Sequence, residues 1–181
     1  MEHRGMKRML YLAAMAVWAS CCACAQEAEG IKSIPLNLEA GFGAGTQKDG
    51  RMPFMANLDL SYDILRNVSI HAVSQVSYYM PKNGSTMKHN KETSLGGGVA
   101  CVLFPSEKSI KGDFEARANV TTTVGSSDFK NTAYSIGLYW HGDTRKWNLT
   151  PVIGVGYTLR DFSKKGMDNY QGMFVSIGVR L

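Results

Sequence analysis

The chain has 181 residues, of which 44% are hydrophobic and only 19% are charged, and its formal net charge is +5. An average soluble domain carries about 25% charged residues, so this composition excludes a disordered charged tail. The sequence also lacks the ~20 unbroken apolar residues that a transmembrane helix requires. The basic residues are scattered, and the net charge therefore does not indicate a nucleic-acid partner.

The first 25 residues have the three parts of a secretory signal peptide. Arg4, Lys7 and Arg8 form a basic start, the apolar run 9–19 follows, and Ala23-Cys24-Ala25 fits the A-x-A pattern of a cleavage site. The sequence therefore predicts a signal peptide over residues 1–25 and export of the chain.

Cleavage after Ala25 changes the cysteine count and the charge. The mature chain would have 156 residues, a net charge of +3 and a single cysteine, Cys101. One cysteine excludes an internal disulfide framework and a cysteine-rich zinc site. Acylation of Cys21 is an alternative fate of the leader, although Trp18 stands where such a site prefers a small aliphatic residue.

From residue 34 onward, apolar and polar residues alternate with the period of β-strands that have two different faces. In the first segment, Leu36, Leu38 and Ala40 alternate with Asn37 and Glu39. Pro151, inside the seventh segment, predicts a bulge or a late strand start. Eight segments are predicted, at 34–44, 54–63, 67–80, 93–104, 112–124, 132–140, 147–160 and a last one that ends with 175–181.

The composition of the two faces favours a membrane barrel over a soluble β-sandwich or a lipocalin-like barrel, which remain alternatives. The polar face is rich in Gly, Ser, Asn and Thr, and the apolar face carries aromatic residues near the segment ends. Aromatic girdles of this kind mark the two interfaces of a bilayer. One predicted girdle contains Tyr62, Phe114, Trp140 and Trp147, and the other contains Phe54, Tyr78, Tyr134 and Tyr157.

Over residues 34–181 the pattern resembles the small outer-membrane barrels of the OmpA/OmpX type. The resemblance implies an all-β fold, an eight-stranded antiparallel up-and-down transmembrane barrel in the bacterial outer membrane. Residues 26–33 would then form a short periplasmic N-terminal segment. Residues 175–181 look like the strand that the barrel-assembly machinery recognises, with Leu181 where many members of the family end in Phe.

Eight strands enclose a lumen that side chains fill, which excludes a large pore. A hairpin centred on Leu65 would place Asp59 opposite His71, and barrel closure would bring Arg180 near Glu39. Both are predicted as structural pairs, because an unpaired buried charge is costly. The predicted lumenal ionic network comprises Glu39, Asp59, His71, Glu115, Arg117, Arg160 and Arg180.

Three further features have a structural and a functional interpretation. Ser69, His71 and Asp59 are the residue types of nucleophilic catalysis, but their lumenal position favours a structural role, so no catalytic site is expected. Eight inward glycines would make room for large side chains, or alternatively for an acyl chain. Cys101 is predicted to face lipid as a small apolar residue. No cofactor and no metal is expected.

The predicted outer loops, 45–52, 81–92, 125–131 and 161–169, hold eight basic and five acidic residues. A basic rim suits an anionic lipopolysaccharide surface, although an ordinary solvated surface is equally consistent. We therefore expect a monomeric outer-membrane barrel with a structural or surface-interaction role, in contact with outer-membrane lipid and lipopolysaccharide. The alternatives are a lipid-modifying or lipid-binding barrel and a minimal small-solute channel.

Overall fold

A computed structural model describes eight stretches of the chain, and the following account refers to these residues. The predicted signal peptide, the segment 26–33 and the girdle residue Trp147 lie outside them. The described residues are 36–48, 51–65, 67–81, 90–105, 112–127, 130–142, 149–163 and 169–181.

Eight antiparallel strands form a closed barrel in which each strand pairs with its neighbours along the chain and β1 also pairs with β8. This confirms the predicted all-β, up-and-down barrel. Closure leaves no strand edge with unpaired backbone groups. The strands are β1 Leu36–Gly45, β2 Arg51–Leu65, β3 Val68–Pro81, β4 Asn90–Phe104, β5 Asp113–Thr123, β6 Asn131–His141, β7 Thr150–Phe162 and β8 Tyr170–Arg180.

The strand bounds differ from the predicted segments mainly at the ends. β2 and β4 each begin three residues earlier than predicted, and β6 continues to His141. β7 begins at Thr150, so Pro151 is its second residue and marks a late start. The carbonyl oxygen of Pro151 accepts a 2.9 Å hydrogen bond from the backbone N–H of Gly142, which closes the ladder beside the proline.

The register of β2 and β3 differs from the prediction. Asp59 lies opposite Val73, and His71 lies opposite Ser61, so the pairing is offset by two residues from a hairpin centred on Leu65. The register shifts between Asp63 and Leu65, and Leu65 pairs with Val68. The register is therefore not symmetric about Leu65, and Leu65–Val68 is the pair nearest the turn.

Apolar side chains cover the outer face of the barrel. Phe42 is 70% exposed and Ile177 is 66% exposed, and the outward positions of every strand carry residues of this kind. Within the described residues, no helix is long and apolar enough to cross a membrane. Cys101 is an exception on the outer face: it is fully buried, and its thiol lies 3.8 Å from the carbonyl oxygen of Val102. The prediction that Cys101 faces lipid was therefore wrong.

The lumen is filled along its length. We call the end where β1 begins and β8 ends the terminal end, and the other end the opposite end. Near the opposite end, Tyr79, Phe162 and Tyr170 form a buried aromatic cluster. The rings of Tyr79 and Phe162 meet edge to face with centroids 6.3 Å apart, and the hydroxyl of Tyr170 donates to the carbonyl oxygen of Thr46 at 2.6 Å. The rest of the lumen contains polar and charged residues together with buried apolar side chains such as Met55, Val73 and Phe174.

Candidate functional site

Charged side chains in the lumen form two groups. The larger one lies near the terminal end with Arg117 at its centre, and we call it the terminal cluster. Arg117 donates two hydrogen bonds to Glu39, at 3.0 and 2.7 Å, and a third from its Nε to Glu115. Its Nη1 is also 3.6 Å from Asp59 Oδ2. A guanidinium has five donors in one plane, which is why a single arginine can hold carboxylates from three strands. The terminal cluster comprises Glu39, Asp59, His71, Glu115, Arg117, His141 and Arg180.

His141 belongs to this cluster, and the sequence analysis missed it. Its Nε2 accepts a hydrogen bond of 2.9 Å from Arg117 Nη2, because a guanidinium can only donate. The ring of Tyr139 lies under the same guanidinium, with its centroid 4.1 Å from Arg117 Cζ. His141 is the next inward position after Tyr139, so continuing the alternation by one step identifies it.

The predicted contact between Glu39 and Arg180 is present at the seam that closes the barrel. The two residues are register partners on β1 and β8, and Arg180 Nη2 lies 3.5 Å from Glu39 Oε2. The same nitrogen donates to Glu115 Oε2 at 3.3 Å. The terminal cluster therefore joins the first and last strands to β5 across the lumen.

The predicted contact between Asp59 and His71 is also present, despite the wrong register. His71 Nδ1 and Asp59 Oδ1 are 2.8 Å apart, and His71 Nε2 and Ser69 Oγ are 2.9 Å apart. All three residues are buried. The structure thus brings together the three residues that the sequence singled out as chemically suited to catalysis.

A second group, the opposite cluster, surrounds Arg160. Arg160 Nη1 donates to Tyr79 Oη at 2.6 Å and to Glu92 Oε2 at 3.1 Å, and both charged residues are buried. Tyr79 itself donates to Glu92 Oε2 at 2.9 Å. Arg160 was predicted to belong to one lumenal network, but it lies in the opposite cluster, whereas the other predicted network residues lie in the terminal cluster. The sequence analysis had placed Glu92 in an outer loop, which was wrong, because β4 begins at Asn90 and turns Glu92 inward.

A cavity of about 50 Å³ lies between the two clusters, and its lining combines apolar side chains with residues of both clusters, including Arg117 and Arg160. This volume holds roughly three to five water molecules at about 10–15 Å³ each. Among the described residues, neither Asn57 Oδ1 nor Asn119 Oδ1 has a hydrogen-bond partner, and both side chains line the cavity. Water molecules in the cavity would satisfy these two oxygens.

The inward glycines accommodate aromatic rings in the middle of the lumen. A Cβ added to Gly154 would lie 2.5 Å from the ring of Tyr139, and one added to Gly156 would lie 2.5 Å from the ring of Phe174. Both distances are below any normal carbon–carbon contact. These two glycines therefore make room for Tyr139 and Phe174, as the first of the two interpretations predicted.

The predicted girdle residues that the structure describes lie on outward positions near the two ends of the barrel. Phe114 and Trp140 are register partners at the terminal end, where Tyr62 also lies. Phe54 and Tyr78 are register partners at the opposite end. Tyr134 on β6 and Tyr157 on β7 lie toward the same end as Phe54 and Tyr78.

The site as a whole combines a packed ionic lumen with one hydrogen-bonded row of serine, histidine and aspartate. Within the described residues, no group of three or more His, Cys, Asp or Glu side chains could hold a metal ion. Comparisons of the chain with protein-family models, curated proteins and solved structures found no match.

Proposed function

We propose that this chain is an outer-membrane β-barrel protein with a filled lumen and a structural or surface-interaction role. One observation carries the proposal: polarity is inverted, with apolar side chains on the outer face and ion pairs inside. A water-soluble barrel would bury its apolar face, and soluble monomers rarely expose contiguous apolar patches of more than a few hundred Å².

The closed backbone hydrogen-bond ladder of the barrel is also compatible with a lipid bilayer. Each backbone polar group in a bilayer must be paired within the protein, and a closed barrel does this for every strand. Tyr62 and Phe54, outward aromatic residues on β2, are eight residues apart, which corresponds to roughly 26 Å along the strand. At a tilt of about 40° this gives a height of roughly 20 Å, comparable with the ~25 Å apolar band of outer-membrane barrels.

The contents of the lumen support a structural role over the two alternatives. Two buried ionic clusters and an aromatic cluster fill it, and the cavity between them has a volume of only about 50 Å³. That volume can hold a few water molecules, but it is too small for an acyl chain or for a continuous path through which solutes could pass. The rings of Tyr139 and Phe174 fill the space beside Gly154 and Gly156, where an acyl chain could otherwise have been bound.

The proposed partners follow from the surface and from the leader. Between the strands, segments 46–50, 82–89, 124–130 and 163–169 hold six basic and three acidic residues, which favours contact with anionic lipopolysaccharide. Export would begin with the signal peptide at 1–25, and insertion by the barrel-assembly machinery would use β8. The chain would act as a monomer, without a cofactor, a metal or a nucleic-acid partner.

The first experiment is gel mobility of the outer-membrane fraction, unboiled and boiled. A folded barrel resists the detergent until it is heated and then shifts in mobility. Recovery of the protein in the soluble periplasmic fraction would contradict the proposal.

A substitution at Ile177 tests directly whether the outer face meets lipid. Ile177 is the eighth of the eleven residues of β8 and lies between Phe42 and Ile153, and all three are exposed. In lipid, Ile177→Arg should lower the free energy of unfolding by about 1–4 kcal/mol, with the larger values nearer the bilayer midplane. On a water-facing surface the same change would stay within about 0.5 kcal/mol. Ile177→Thr is the control without charge, and equal stabilities of the arginine variant and the parent would contradict lipid contact.

A further inference from the structure

The row Ser69–His71–Asp59 has the order of contacts that activates a serine nucleophile. The serine hydroxyl meets Nε2 of the imidazole, and the carboxylate meets Nδ1 on the other side of the ring, at 2.9 and 2.8 Å. In this arrangement the imidazole takes the hydroxyl proton and the carboxylate orients the ring.

The carboxylate determines which nitrogen carries the proton. An ionised Asp59 can only accept, so His71 Nδ1 is the donor in the contact between them. In a neutral ring Nε2 is then the acceptor, and the hydroxyl of Ser69 donates to it. This is the tautomer that a general base requires.

The three residues are arranged in order of depth from the terminal end. Ser69 is the second residue of β3 and pairs with Asp63 beside the hairpin turn. His71 is one inward position deeper, and Asp59, opposite Val73, is deeper again and lines the central cavity. Of the three residues, Ser69 is therefore the nearest to the terminal end.

We propose that Ser69 is the nucleophile of an esterase site at the terminal end of the barrel, acting on esters with a small acyl group. Ser69 is only 7% exposed, so the approach is narrow and a bulky acyl group is excluded. This activity goes beyond the structural role proposed above and does not depend on which surface partner the barrel contacts.

The reaction would proceed in two balanced steps. Ser69 Oγ attacks the ester carbonyl while its proton passes to His71 Nε2, and His71 returns that proton to the departing alkoxide, which leaves as the alcohol. Water then attacks the acyl group on Ser69, with His71 again accepting and returning the proton, and the acid is released.

Arg180 is the residue that we assign to the negative oxygen of the intermediate. It lies at the same end, and 18% of its side chain is exposed. Its Nε–H is buried and has no hydrogen-bond partner among the described residues. Its Nη2 donates to Glu115, whose other carboxylate oxygen, Oε1, is 3.9 Å from His71 Nε2. Nη2 is thus held by Glu115, and the Nε–H, unpaired among the described residues, is the donor that we assign to the negative oxygen.

The test uses the full mature chain, refolded in detergent and checked by its heat-dependent gel mobility. A fluorophosphonate probe should label the protein at Ser69, as located by mass spectrometry of its peptides, and the protein should hydrolyse p-nitrophenyl acetate. Ser69→Ala should abolish the labelling and lower the hydrolysis rate by at least about 100-fold, because general acid–base catalysis alone contributes about 10²–10⁴-fold and has no nucleophile to act on without Ser69. Ser135→Ala is the matched control, because Ser135 is another lumenal serine that lines the cavity, and it should leave both readouts unchanged.

Asp59 is a positioning residue in this scheme. Asp59→Asn should lower kcat by about 100-fold or more, because the imidazole of His71 loses its orientation. KM should change little, because the terminal end of the lumen keeps its shape. A purely structural row predicts no labelling of Ser69 and no difference between Ser69→Ala and the parent. Either result, in a barrel that still shows the heat-dependent shift, would overturn the esterase proposal. A missing shift would instead contradict the outer-membrane proposal.

Discussion

Asp59 and His71 are hydrogen-bonded at 2.8 Å although they are not register partners, since each is offset from the other by two residues across β2 and β3. Diagonal neighbours on one face of an antiparallel pair lie about 7–8 Å apart at their Cα atoms, within reach of an imidazole and a carboxylate. An offset of two residues therefore does not abolish the contact. The offset also places Asp59 at the cavity, where its second oxygen lies 3.6 Å from Arg117.

Replacement of Asp59 by asparagine should destabilise the barrel. The change keeps the shape of the side chain but removes a charge that His71 and Arg117 both face. We expect the free energy of unfolding to fall by about 1.5–3 kcal/mol, as for other hydrogen bonds to charged groups. Urea titration in detergent micelles measures it. Asn57→Ala, two residues away on the same face, is the control and should cost less than about 1 kcal/mol, so equal losses would contradict the importance of the charge.

The alternation of the sequence was sufficient to predict eight strands, their faces and the contact between Glu39 and Arg180. It was not sufficient for the register of β2 and β3, because a slip of two residues leaves every side chain on the same face. The register depends on the pairing of Leu65 with Val68 next to the turn and on the irregularity between Asp63 and Leu65, which shifts the rest of the ladder by one residue. The lumenal position of Glu92 was missed because a charged residue at the end of a strand cannot be told from a loop residue by its type alone.

Removing Arg160 alone should be far more harmful than removing it together with its partner. Arg160→Met leaves the buried carboxylate of Glu92 without its guanidinium, which should cost about 3–5 kcal/mol. The double variant Arg160→Met/Glu92→Gln removes both charges, and we expect it to recover more than half of that loss. Urea titration of the parent, both single variants and the double variant measures the coupling. Additive losses would mean that the two residues do not depend on each other.

A methyl group at Gly154 should displace the ring of Tyr139. The added Cβ would lie 2.5 Å from that ring, so Gly154→Ala should cost about 1–3 kcal/mol through overpacking. In a Tyr139→Ala background the same substitution should cost less, and the remaining cost comes from Ser176 Oγ, which also lies 2.5 Å from the added Cβ. Gly97→Ala is the control, since its Cβ meets a single atom, the carbonyl oxygen of His71 at 3.0 Å. A cost for Gly154→Ala that stays the same without the ring would locate the obstruction elsewhere.

Cys101 should resist thiol reagents in the folded barrel, although it lies on the outer face. Its side chain is fully buried between its register partners Val68 and Ala116, and its thiol turns toward the carbonyl oxygen of Val102. A membrane-permeant maleimide should therefore label the mature chain only after heating, with labelling following the same temperature dependence as the gel shift. Val120→Cys in a Cys101→Ala background provides the positive control, because Val120 is an exposed outward residue on β5. Labelling of Cys101 before the shift would show that the outer face opens around this residue while the barrel remains folded.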